Sequence, residues 1–149
     1  MAVTLHSSRF GVLEIPDEAV IEFPSGLIGL GGTRYALLAR NEDSAFVWLH
    51  SLDDPDLAVP VTNPFRFFAS FEVELDDAEA DRIGLSDDDD TAVYVTVRAA
   101  DALEDFSANL YAPILISDGR GHQVINQSAD APVRAPLFQR PATEEIVAA

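Results

Sequence analysis

Leu110-Tyr111-Ala112-Pro113-Ile114-Leu115-Ile116-Ser117-Asp118-Gly119-Arg120-Gly121-His122-Gln123-Val124-Ile125 reads as two β-rich runs on either side of a turn. Residues 110–116 and 123–125 are mostly aliphatic, and Asp118-Gly119-Arg120-Gly121 between them supplies the positive φ that a hairpin needs. Outward from this hairpin the same pattern repeats. Residues 11–15 and 19–23 are short β-rich runs split by Pro16-Asp17, and residues 35–39, 46–50, 57–61 and 92–97 continue the series. Phe71-Glu72-Val73-Glu74-Leu75 alternates strictly, which predicts a strand with one buried and one wet face. One short helix is predicted over residues 76–83, with acids in its first turn and Gly84 as its stop, and a weaker one over 101–106. Nine or ten short strands with one short helix and no strand–helix alternation predict a mainly β fold: a single-domain antiparallel bent β-barrel or sandwich over residues 1–138. Beyond it, residues 139–149 lose the pattern and read as a flexible tail.

The composition narrows function by exclusion. In 149 residues, 26 acids face nine bases, giving a net charge of −17, and all nine bases are arginine. Direct binding to nucleic acid needs clustered cations that release counterions, and an anionic membrane surface repels such a chain. A basic protein is the partner class that this field attracts. Self-repulsion also favours a monomer. The chain has no cysteine, hence no disulfide framework or thiolate chemistry. The first residues show no basic-then-apolar leader and no run approaches a membrane span, so the reading is a cytoplasmic protein.

No constellation of catalytic or metal-binding residues stands out. Gly26, Gly29, Gly31 and Gly32 lack the spacing of a dinucleotide fingerprint and precede a strand, so they read as turn glycines. Asp87 to Asp90, and Asp53, Asp54 and Asp56, lack the alternating ligands of a calcium loop and read as solvated acids. His6, His50 and His122 lie in separate segments, with His50 expected on the polar face of its strand. No cofactor, metal or enzymatic activity is expected. Two features point to binding instead. Asn63-Pro64-Phe65-Arg66-Phe67-Phe68 carries more rings than one strand face can hide, so either a bend buries all three or one is an exposed anchor. Pro113 and Pro60 each remove a ladder donor from an apolar run, which predicts edge strands open to another chain.

Several stretches together resemble the flagellar assembly factor FliW family. They are Phe23-Pro24-Ser25-Gly26-Leu27-Ile28-Gly29, Trp48-Leu49-His50-Ser51-Leu52-Asp53-Asp54-Pro55-Asp56-Leu57, Asn63-Pro64-Phe65, Asn109-Leu110-Tyr111-Ala112-Pro113-Ile114-Leu115-Ile116 and Pro132-Val133-Arg134. Leu30 and Ala131 stand where the family commonly carries aromatics. The resemblance implies a small non-enzymatic β-barrel protein that binds the translational regulator CsrA, antagonises its repression of flagellin mRNA, and exchanges CsrA for flagellin. It suggests Asp53, Asp54, Asp56, Phe65, Asn109, Tyr111, Pro113 and Arg134 as partner-contact residues. The rival readings are a flagellin-only chaperone and a β-barrel hydrolase or ligand carrier built on a carboxylate pair.

Overall fold

The computed structural model describes residues 2–27, 30–39, 44–69, 71–78, 81, 91–98, 101, 105–117, 119–128 and 132–137. Among them are eleven strands: β1 (Ala2–Ser7), β2 (Gly11–Pro16), β3 (Ile21–Glu22), β4 (Arg34–Leu38), β5 (Phe46–Ser51), β6 (Ala58–Thr62), β7 (Ala92–Arg98), β8 (Ser107–Ala108), β9 (Ile114–Ser117), β10 (Arg120–Gln123) and β11 (Ala135–Pro136). Seven of them close a ring in the order β3-β4-β5-β6-β7-β9-β10, with β10 returning to β3. The expected barrel is therefore present, and every seam of the ring but one is antiparallel. The exception is β10 with β3, a parallel pair resting on Arg120↔Glu22 and a 2.9 Å hydrogen bond from Glu22 N–H to the Gly119 carbonyl.

The barrel interior is filled by Ile21, Phe23, Leu27, Tyr35, Leu49, Val61 and Ile114. Each such buried aliphatic or aromatic side chain contributes about 1.5–3 kcal/mol relative to exposure. Phe23 meets Tyr35 edge to face at 5.4 Å and lies directly over Gly121. A Cβ at Gly121 would sit 2.2 Å from the Phe23 ring, so this glycine supplies clearance rather than positive φ. Gly119, at φ +75°, supplies the turn. That turn is tighter than the sequence suggests: Ser117 pairs with Arg120, leaving a two-residue connection, and β10 ends at Gln123.

Two outer layers complete the packing. Hairpin β1–β2, which the sequence reading did not assign, forms its own sheet and lays Leu5 and Ile15 on Ala36 of β4. On another side, Phe71, Val95, Val97, Ala108, Leu110, Ala135 and Leu137 make a second core outside the ring. Strand β7 is thus buried on both faces, with Tyr94 packed inward and Val95 and Val97 outward.

Residues 71–75 alternate in burial as predicted but join no ladder. Their backbone is held instead by Asn126, whose Oδ1 accepts from Glu74 N–H (2.9 Å) and whose Nδ2 donates to the Glu72 carbonyl (2.8 Å). Asp77, Ala78 and Asp81 are helical, while half of the predicted helix over 76–83, the acidic run 87–90, half of 101–106, and the tail 139–149 lie outside the described residues. No helix among the described residues is long and apolar enough to cross a membrane.

Candidate functional site

Two local irregularities open one side of the barrel. The first is Pro60. Ser51 N–H donates to the Leu57 carbonyl, so the odd-numbered backbone groups of β6 face β5 and the even-numbered ones face β7. Thr62↔Val95 and Val61↔Thr96 are the whole β6–β7 register, and Pro60 would come next against Val97. Having no N–H, Pro60 cannot continue the ladder, and the seam parts there. The proline lies in a strand with neighbours on both sides, not in the edge strand expected from sequence.

The second irregularity is a bulge on the opposite edge of β7. Ala108 pairs with Val97 and Ile114 with Tyr94, so five residues (109–113) lie opposite two (95–96). β8 and β9 are one strand interrupted. Asn109 shapes the bulge: its Oδ1 accepts from Tyr111 N–H (3.0 Å) and Ala112 N–H (3.2 Å), while its own N–H donates to the Thr96 carbonyl. From behind, the Pro113 carbonyl accepts from Val124 N–H and the Tyr111 carbonyl from Asn126 N–H. Pro113 is therefore fully buried in a braced bulge, which corrects the expectation of an open edge at this position.

The parted seam and the bulge share a groove of about 460 Å³. Its apolar walls include Leu27, Leu30, Val59, Val97, Ile114 and Val133; Asn109, Gln123, Arg98 and Arg134 are among its polar lining. The structure thus brings Asn109 and Arg134 together, with Tyr111 37% exposed in the same bulge. Arg98 and the role of Pro60 in opening the seam were not read from sequence; a proline two residues before the end of an interior strand was the available signal.

The acidic turn lies elsewhere and is largely tied into the fold. The Ser51 hydroxyl accepts from Asp53 and Asp54 N–H, starting the turn. Asp53 Oδ2 accepts from Thr33 N–H (3.1 Å) and Arg34 N–H (3.2 Å), and its Oδ1 lies 3.1 Å from Arg34 Nη2. These backbone donors, with the guanidinium, hold the Asp53 carboxyl below the usual carboxylate range. Asp54 Oδ1 accepts from Asp56 N–H, and Asp56 in turn accepts from the Ser8 hydroxyl. The Tyr35 hydroxyl donates to the Gly31 carbonyl at 2.5 Å; burial, then the fields of Asp53 and Asp54, push this phenol up. The S-x-D-D-P-D-L stretch is a junction of three segments, and its three aspartates do not converge: among the described residues no three acids or histidines are placed to hold a metal.

Phe65 occupies a third place. Asn63 Oδ1 caps a 3-10 turn, Pro64–Arg66, and Phe65 is 51% exposed on it, edge-on to Phe71 at 5.4 Å. Phe67 and Phe68 are half-buried in the outer core, so the bend hides two of the three rings. His50, expected on a polar face, is buried under the β1–β2 hairpin, with Nε2 2.8 Å from Ser7 Oγ and Nδ1 2.7 Å from the Ser51 carbonyl. This resembles a serine–histidine pair, but Ser7 Oγ already accepts from Arg9 and Phe10 N–H and is buried, which makes it a turn cap.

Comparison with known proteins gives one answer throughout. A sequence model of the family described as FliW protein matches residues 4–137. A flagellar assembly factor FliW of Heliobacterium modesticaldum is 31% identical over 144 residues, covering 95% of this chain and 94% of its own. One from Geobacillus kaustophilus is 32% identical over 130 residues, covering 86% and 90%. A crystal structure of the flagellar assembly factor FliW superimposes with a TM-score of 0.81 at 29% identity, covering 92% of this chain and 98% of the other.

Proposed function

The chain belongs to the FliW family of flagellar assembly factors, and from that premise we propose that it is a protein-binding, non-enzymatic switch in the cytoplasm. In this reading it binds CsrA, keeps it from flagellin mRNA, and is itself claimed by flagellin, so that flagellin export frees it to relieve repression. The family match over residues 4–137 carries the reading. The net charge of −17 supports its first arm, because an RNA-binding regulator presents positive surface that such a field attracts while RNA is repelled.

Purified protein mixed with CsrA, with flagellin, and with both tests it. Complexes with each partner alone, and loss of the CsrA complex on adding flagellin, are expected. The CsrA on-rate should fall about tenfold or more between low and high salt, as steered association does. Binding to flagellin alone would leave the flagellin-only chaperone; binding to neither would overturn the proposal.

A further inference from the structure

The groove between the parted β6–β7 seam and the 109–113 bulge combines apolar walls with two arginines. In a chain with 26 acids, no carboxylate among the described residues lines it, whereas two other polar recesses carry Asp56, or Asp17, Glu18 and Glu22. Two exposed arginines, Arg98 at the end of β7 and Arg134 before β11, stand on it instead. Neither guanidinium makes a hydrogen bond or ion pair with another described residue, whereas Arg34 is tied to Asp53 and Arg9 lies over the Trp48 ring at 4.4 Å. Beside them Val133 is 58% exposed, and Leu27, Leu30 and Val59 form an apolar floor and wall.

We propose that this groove docks a peptide segment that combines apolar and acidic side chains, the apolar ones seated against Leu27, Leu30 and Val59 and the carboxylates received by Arg98 and Arg134. Guanidinium groups left without partners are suited to bidentate carboxylate recognition, and an apolar bed beside them gives the contact its desolvated centre. The long-range field of the chain disfavours an acidic ligand, so recognition here has to be local; at about 150 mM salt, charges more than about 8 Å apart are screened and the local pair decides. The inference goes beyond the CsrA–flagellin reading and stands or falls separately: it concerns which peptide chemistry this groove accepts.

The test uses the full chain and a labelled, end-blocked decapeptide in which leucines alternate with serine and glutamate. Fluorescence anisotropy in about 150 mM salt measures affinity, and amide chemical shifts of the unsubstituted protein map the contact. Expected are shifts at Val97, Asn109, Ala112 and Arg134, and about tenfold or greater weakening in the double variant Arg98→Glu/Arg134→Glu. Arg66→Glu, an exposed arginine outside the groove, should change affinity about twofold or less. The same peptide with lysine for glutamate should bind more weakly at these residues. Shifts that map elsewhere, equal binding of the lysine peptide there, tighter binding of a single-stranded oligonucleotide, or equal loss in Arg66→Glu would each overturn the proposal. So would a dimer in sedimentation that the double variant dissolves, since the groove would then be a contact between copies.

Discussion

Asn126 does the work of a missing strand pairing. It is 5% exposed, and its carboxamide makes four hydrogen bonds: accepting from Glu74 and Ser128 N–H and donating to the Glu72 and Leu110 carbonyls. Asn126→Ala would leave these backbone groups without partners, and stability should fall by about 3 kcal/mol, read as a drop in urea midpoint at unchanged slope. Asp53 is the second residue whose loss the fold should register. Because its folded-state carboxyl titrates below the unfolded value near 3.9, it adds stability above that pH and loses it as pH falls through the lowered folded value. Asp53→Asn should therefore be less stable at neutral pH and show a shallower loss as the pH falls below the unfolded carboxylate value, a difference that urea unfolding across pH will reveal. Neither role was legible in the sequence. Asn126 follows the run 123–125 with nothing local to distinguish it, and its partners lie up to 54 residues away in the chain. Asp53 is one acid among 26, and only the register of β4 and β5 brings it to Thr33 and Arg34.

Most strands were legible because β-branched alternation is local. β4, β5, β6 and β7 fall within a residue or two of the runs read from sequence, and the β9–β10 hairpin follows from Asp118-Gly119. The failures came where a segment's partner is not a strand. Residues 71–75 have a strand's alternation, but Glu74 takes its backbone bonds from Asn126 and Gln127, so period two reports the burial pattern and not the ladder. The bulge at 109–113 escaped for a related reason: a Pro within an apolar run signals that a ladder stops, while which side opens depends on register. β6 allows this to be tested. Pro60→Val restores an N–H facing Val97, and the new amide at position 60 should exchange with solvent at least about fivefold more slowly than an exposed loop amide, since one added ladder bond of about 1 kcal/mol protects it. Unprotected exchange there would show that something other than the missing donor holds the seam apart.

For the whole molecule, a net charge of −17 on 149 residues is a standing cost to compactness. Raising salt from about 10 to about 500 mM should screen this repulsion and raise the thermal midpoint by about 3 °C or more, a shift equivalent to about 1 kcal/mol at this size. An unchanged or lower midpoint would mean that local pairs such as Arg34–Asp53 outweigh the field. The barrel closes by joining Glu22 to Arg120, partners about a hundred residues apart in the chain. During synthesis, β3 to β6 can pair with one another as they emerge, but β3 waits for its last neighbour until nearly all of the ring has been made. A growing chain therefore carries an unclosed sheet edge until β10 has been made, and closing so long a loop is a late, entropically costly step. Folding speed in this protein should be governed by that single parallel seam, so that the moment at which the factor becomes competent is set by the emergence of β10.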